Sequence, residues 1–62
     1  MKKSTARTAA QEQANLNNKR YVVYCHRRQF NNVEYYFRSE EDFDKGNFQL
    51  DFATCETIRP QQ

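Results

Sequence analysis

The sequence predicts an α+β fold: a small three-stranded antiparallel sheet in the order β-β-short α-β, with a flexible or weakly helical N-terminal arm. A chain of 62 residues can support one small core. Within residues 19–60, three runs of strand-forming residues show two-residue periodicity. Residues 1–18 contain no aromatic and no β-branched aliphatic side chain. We therefore predict a basic, polar arm over residues 1–18 and a small α+β domain over residues 19–60.

The N-terminal arm has too few apolar side chains to form a core of its own. Ser4 could cap a helix. The residues at helical spacing are Ala6, Ala9, Ala10, Gln13, Ala14 and Leu16. Because alanine buries little area, this stripe indicates a weak helix, either laid over the sheet or folding on a partner, and the isolated arm is expected to fray. Deletion of residues 1–17 should then leave the sheet folded.

Two runs of strand-forming residues, 21–26 and 33–38, predict a β-hairpin. In the first run the alternating sets are Tyr21, Val23 and Cys25 against Val22, Tyr24 and His26. In the second run they are Val33, Tyr35 and Phe37 against Glu34, Tyr36 and Arg38. Residues 27–32 are predicted to form the turn, because Asn31 and Asn32 tolerate the left-handed conformations that hairpins need.

The segment after the hairpin predicts a short helix. Ser39 could cap its first turn, and Asp42 lies three positions later, where a capping box usually has glutamate. An acidic first turn suits the positive end of the helix dipole. Gly46, the only glycine, could end the helix in the left-handed conformation.

Residues 47–53 predict the third strand. The side chains on its apolar face would be Phe48, Leu50 and Phe52. An alternative interpretation extends the helix over residues 40–52 and leaves residues 54–59 as the strand. The low helix propensities of Gly46 and Asn47 favour the short helix.

The charge is distributed unevenly along the chain. Residues 1–28 carry seven basic side chains and one acidic one, a net charge of +6, and residues 29–62 carry three basic and seven acidic ones, a net charge of −4. This polarity indicates a basic surface for an anionic partner. Attraction between the two halves of the domain is an equally good interpretation.

The sequence predicts neither a catalytic site nor a metal or cofactor site. Cys25 and His26 are adjacent, so a strand would point them to opposite faces, and with Cys55 they number one short of the usual four zinc ligands. A disulfide between Cys25 and Cys55 is an alternative, but cytosolic proteins rarely keep one. Regular alternation also places the two cysteines on opposite faces unless a bulge intervenes, so we predict two reduced thiols, one of them buried. A single glycine excludes a Gly-rich phosphate loop. The acidic run of Glu40, Glu41, Asp42 and Asp44 is typical of a solvated helix start.

Binding is the function that the residue pattern favours. Basic and aromatic side chains are expected to share one face and one end of the hairpin: Lys19, Arg20, Tyr24, His26, Arg27, Arg28, Tyr36 and Arg38. We predict a small non-enzymatic regulator or inhibitor that binds a protein of a cellular machine, of the kind that viruses and mobile elements encode. The alternative is a small DNA- or RNA-binding protein that uses the same face.

The cellular setting follows from the same composition. The chain begins Met1-Lys2-Lys3 and has no apolar run that could act as a signal peptide or cross a bilayer. We expect a complete small gene product that resides in the cytoplasm. A homodimer is a further expectation, because doubling a small core is a common route to stability at this size.

Overall fold

The computed structural model describes residues 1–29, 31–47 and 50–61. Its elements in chain order are α1 (Lys3–Asn17), β1 (Tyr21–His26), β2 (Tyr35–Ser39), α2 (Glu40–Lys45) and β3 (Phe52–Ile58). The strands form one antiparallel sheet with β1 in the centre, in the order β2-β1-β3. The predicted α+β class and the three-stranded antiparallel sheet are therefore confirmed. The expectations for Phe30 in the turn and for Phe48 and Gln49 in the third strand lie outside the described residues.

The N-terminal segment is a well-formed helix, so the predicted flexible arm is wrong. Ala6, Ala10 and Ala14 are 0% exposed and pack against Val23 and Ile58 of the sheet. Their four-residue spacing aligns three methyl groups on one face of α1. Such small side chains bury little area themselves, but they allow the helix to approach the sheet closely. The larger sheet side chains supply most of the apolar area that is buried.

Polar contacts also attach α1 to the sheet and to the segment after it. Arg7 Nε lies 3.0 Å from Glu56 Oε2 of β3. Gln11 Nε2 donates to the Arg59 carbonyl at 2.8 Å. Near the other end, Asn17 Nδ2 donates to the Tyr21 hydroxyl at 2.8 Å. These contacts hold the helix against the rest of the protein along its length. A frayed arm would not make them.

Asparagine closes α1 and turns the chain back toward β1. Asn18 adopts the left-handed conformation, with φ 53°, and its N–H bonds to the Ala14 carbonyl. Asparagine tolerates this region better than other residues with a Cβ. At the start of α1 the capping position belongs to Lys2, which makes no side-chain capping bond. Ser4 lies inside the helix, so its predicted capping role is wrong.

The hairpin follows the predicted alternation. Val23 is paired with Phe37, and Tyr24 with Tyr36. Residues in the turn include Asn32, whose φ of 50° confirms the expected left-handed asparagine. The second strand begins at Tyr35, two residues later than predicted.

The short helix α2 is confirmed, together with its cap. Ser39 Oγ accepts a hydrogen bond from the Asp42 N–H at 3.2 Å. The end of the helix differs from the expectation. Gly46 keeps a right-handed conformation, with φ −75°, and Asn47 takes the left-handed one, with φ 55°. The Gly46 N–H still bonds to the Asp42 carbonyl at 3.0 Å, so the chain reverses one residue later than predicted.

The third strand covers Phe52–Ile58, so its predicted position at residues 47–53 is wrong. The alternative interpretation placed the strand at residues 54–59, which is close to the observed range. The long helix over residues 40–52 in that alternative is also wrong. β-Branched side chains at Thr54, Thr57 and Ile58 favour an extended backbone. Ile58 is buried against α1, and this tertiary contact fixes the end of the strand.

The sheet lies between two unequal layers. One core cluster joins it to α1, and a second contains Val22, Tyr24 and Phe43, the last of which belongs to α2. Val23 and Tyr24, adjacent on β1, thus belong to different cores. In the described part of the chain, neither helix has the length and apolar character of a bilayer-spanning segment.

Candidate binding surface

The sheet face opposite α1 is covered by α2 over only part of its area. Phe43 of α2 packs on Val22 and Tyr24, and all three side chains are buried. Beyond Phe43, toward the end of β1 that leads into the turn, the same face carries His26 and Tyr36. Both of these side chains are exposed. The short length of α2 therefore leaves an aromatic region of the sheet open to solvent.

Ring contacts organise this open region. The Phe52 ring lies 4.2 Å from the His26 ring and 6.1 Å from the Tyr36 ring, centroid to centroid. Beneath them, the Tyr24 ring lies 5.1 Å from Phe52 and 5.7 Å from Tyr36. These separations are typical of interacting aromatic pairs. One side chain from each strand therefore forms a preformed cluster, resting on the buried ring of Tyr24.

Arginine side chains surround the aromatic cluster. Arg38 Nε donates a hydrogen bond to the Tyr24 hydroxyl at 2.9 Å, which fixes Arg38 beside Tyr36 on β2. Arg27 and Arg28 follow directly after His26 and are exposed. We call the combined surface the aromatic–arginine patch. Its members are His26, Arg27, Arg28, Tyr36, Arg38 and Phe52.

A depression of about 350 Å³ adjoins the patch. Its lining residues are His26, Arg27, Arg28, Leu50 and Asp51. The Arg27 N–H bonds to the Asp51 carbonyl at 2.9 Å, which joins the two turns beside the depression. Leu50 is 78% exposed at its edge. The patch therefore continues into a concave, partly apolar surface.

Two of the predicted site residues lie elsewhere. Lys19 and Arg20 precede β1, whereas Arg27 and Arg28 follow it, so the strand of six residues separates Arg20 from Arg27 by roughly 23 Å. Arg20 Nη2 forms an ion pair of 2.9 Å with Glu40 Oε1. The expectation that all eight residues share one end of the hairpin is therefore wrong. Lys19 and Arg20 line a separate depression of about 210 Å³.

Tyr24 also has a different position from the one expected. Its side chain is 4% exposed, so it supports the patch from below. Conversely, Phe52 and Leu50 belong to this surface and were not predicted as site residues. An alternation that begins at Phe52 and continues through Thr54 could have identified a strand that pairs at this end of the sheet. The third strand that we preferred, at residues 47–53, ended before Thr54.

The acidic helix α2 lies on the same sheet face as the patch. Its carboxylates are Glu40, Glu41, Asp42 and Asp44, and Lys45 is its one basic side chain. Lys45 Nζ lies 3.0 Å from Glu41 Oε1. This hydrogen bond and the charge of Lys45 lower the pKa of Glu41, and the same contact raises the pKa of Lys45. The sheet face is therefore positive at one end and negative at the other.

Within the described ranges, no three His, Cys, Asp or Glu side chains converge in a way that could hold a metal ion. The chemistry that the patch offers is stacking, apolar contact and charge-assisted hydrogen bonding. No protein-family model, curated protein or solved structure shows significant similarity to this chain.

Proposed function

We propose that this chain is a non-enzymatic regulator or inhibitor that binds a protein of a cellular machine through the aromatic–arginine patch. The observation that carries the proposal is the cluster of His26, Tyr36 and Phe52, which is preformed, reaches solvent and is bordered by arginines. Tyrosine and arginine are enriched among the residues that dominate binding energy at protein interfaces. A rigid cluster also loses little side-chain freedom on binding.

The distribution of charge supports a protein partner. The patch contains three arginines, but α2 places four carboxylates on the same face. A nucleic-acid backbone that extended along this face would meet like charge at α2. A protein partner can place acidic side chains against the arginines and basic ones against α2, so it could match both ends of the face. We place this interaction in the cytoplasm.

Direct binding of DNA or RNA is the second candidate, and the solvent-facing rings of the aromatic cluster support it. Bases can stack on exposed aromatic side chains while arginines contact the phosphates. The Tyr36 and Phe52 rings beside Arg38 offer that combination. The footprint would be short, because the arginines border only one end of the sheet face.

The test is capture of a partner that depends on Tyr36. The full chain and a Tyr36→Ala variant are immobilised and exposed to nuclease-treated lysate, and bound proteins are quantified by mass spectrometry. We expect one protein whose recovery falls at least about tenfold with the variant, as for an interface hot spot. Leu16→Ala is the matched control, because Leu16 is 77% exposed and lies on α1, on the other side of the sheet.

Equal recovery with Tyr36→Ala and the unmodified chain would contradict the proposed surface. Circular dichroism must show that the Tyr36→Ala variant remains folded. Arg28→Ala gives an independent check, because Arg28 is exposed and lies in a turn, where truncation costs little stability. Its control is Arg59→Ala, which removes an exposed arginine far from the patch.

A further inference from the structure

The two cysteines lie side by side on the α1 face of the sheet. Cys25 Sγ of β1 and Cys55 Sγ of β3 are 3.4 Å apart. Cys25 is half-buried and Cys55 is exposed, and both are thiols. The opposite faces expected from regular alternation are therefore not observed, and the exception that a bulge allows applies.

A β-bulge brings the thiols together. The pairing of β1 with β3 steps from Val23 opposite Glu56 to Tyr24 opposite Thr54, which leaves Cys55 as the extra residue on β3. An extra residue shifts the alternation of side chains between the faces. Without it, Cys25 and Cys55 would project to opposite sides of the sheet.

We propose that Cys25 and Cys55 form a redox-active pair, a modification site at which a small-molecule disulfide oxidises the two thiols to one disulfide between β1 and β3. This inference is independent of the aromatic–arginine patch. An S–S bond is about 2.05 Å long, so the sulfurs must approach by roughly 1.4 Å. Neighbouring strands already hold them in place, so the second thiol is present at a high effective concentration.

The reaction has two exchange steps. One cysteine, as its thiolate, attacks a sulfur of the small disulfide, and the S–S bond breaks to release one small thiolate, which takes up a proton. The other cysteine then loses its proton and attacks the protein sulfur of this mixed disulfide, which releases the second small thiol. The protein loses two electrons and two protons, and the small disulfide is reduced to two thiols.

The surroundings of Cys55 influence the rate of this reaction. The pKa of Cys55 is raised to about 11, mainly because neighbouring atoms partly desolvate the thiol. Its contact with Cys25 raises the pKa further, and Lys3 opposes the shift. Because the thiolate is the attacking species, exchange through Cys55 is slow at neutral pH and accelerates as the pH rises toward this value.

The experiment uses the reduced full chain, equilibrated with mixtures of glutathione and glutathione disulfide and quenched with acid. We expect intact mass spectrometry to show a monomer that has lost two hydrogen atoms and carries no glutathione. The thermal midpoint of this species should rise by roughly 15–30 °C, because the cross-link closes a loop of about 30 residues. Repeating the equilibration in urea should yield at least tenfold less intramolecular disulfide relative to the dithiol.

Cys25→Ser and Cys55→Ser are the matched controls. Each variant should stop at a single glutathione adduct, because the resolving thiol is absent. The proposal is overturned if the folded chain retains two glutathione adducts, forms only disulfide-linked dimers, or does not react while the chain in urea does. Equal yields of intramolecular disulfide with and without urea would also overturn it, because the fold would then contribute nothing.

Discussion

Tyr24 connects the core of the protein to its proposed binding surface. Its ring contacts Tyr36, Phe43 and Phe52, and its hydroxyl accepts a hydrogen bond from Arg38. Because the side chain is almost completely buried, a partner cannot contact much of it. The sequence pattern placed Tyr24 among the residues expected to bind the partner. In the structure, Tyr24 instead supports the side chains of the proposed binding surface from below.

Truncation of Tyr24 should therefore strongly destabilise the protein. We expect Tyr24→Ala to cost roughly 3–5 kcal/mol in the free energy of unfolding, as for other buried aromatic side chains. Tyr24→Phe keeps the ring and loses only the hydrogen bond to Arg38, at a cost of about 1 kcal/mol. Urea denaturation measures both values. If Tyr24→Ala were as stable as Tyr24→Phe, the ring would not be part of the core.

The start of α2 is a helix end whose stability depends on one hydroxyl. Ser39 Oγ accepts the Asp42 N–H, and Ser39 is buried. We expect Ser39→Ala to reduce the free energy of unfolding by about 1 kcal/mol, as for other lost helix caps. Ser4→Ala is the control, because Ser4 lies inside α1 and makes no cap. Equal effects of the two substitutions in urea denaturation would exclude a capping role for Ser39.

We expect helix α1 to be required for the fold, because it covers one of the two faces of the sheet. Ala10→Asp would bury a carboxylate between α1 and the sheet, and we expect a loss of about 3 kcal/mol or more. Thr8→Asp places the same group on an exposed position of the same helix and should cost little. Thermal melting followed by circular dichroism compares the two variants. A cooperative transition of Ala10→Asp that matches the unmodified chain would contradict this packing.

Deletion of residues 1–17 is now expected to abolish cooperative melting. It would expose Val23, Ile58 and the partly buried rings that α1 covers. The sequence suggested the opposite outcome, because an alanine stripe is a weak sign of burial. Whether an alanine stripe is buried depends on the sheet side chains that face it, and those side chains are distant in the sequence.

The hairpin and α2 could be predicted because their signals are local. Alternating side chains identified β1 and β2, and Ser39 identified the start of α2. The third strand could not be placed, because an aromatic alternation over residues 47–53 competed with β-branched residues over residues 54–58. Tertiary contacts of Ile58 decide between these two patterns. The bulge at Cys55 has no local signal, so the sequence allowed for a bulge that would bring the two thiols to one face but could not locate it.

The separation of charge between the arginines of the patch and the carboxylates of α2 determines how salt should affect binding. Contacts from the three arginines of the patch to the phosphates of a single strand would give about twentyfold weaker binding between roughly 50 and 200 mM salt. We expect binding of the captured protein partner to fall by less than about tenfold over this range. Isothermal titration at several salt concentrations measures this dependence. A fluorescent single-stranded oligonucleotide of mixed sequence serves as the comparison, and tight, steeply salt-dependent binding of it would favour the nucleic-acid candidate.

The packing of Ile58 against α1 also has a consequence for biosynthesis. Ala6 and Ala10 come from the beginning of the chain and Ile58 from near its end, yet all three belong to one core cluster. The hairpin can form from local contacts, but the central strand cannot gain its second neighbour until β3 has been made. Closure of such long loops is entropically costly and comes after local pairing. During translation, the sheet therefore stays incomplete, with one edge of β1 unpaired, until Ile58 has left the ribosome.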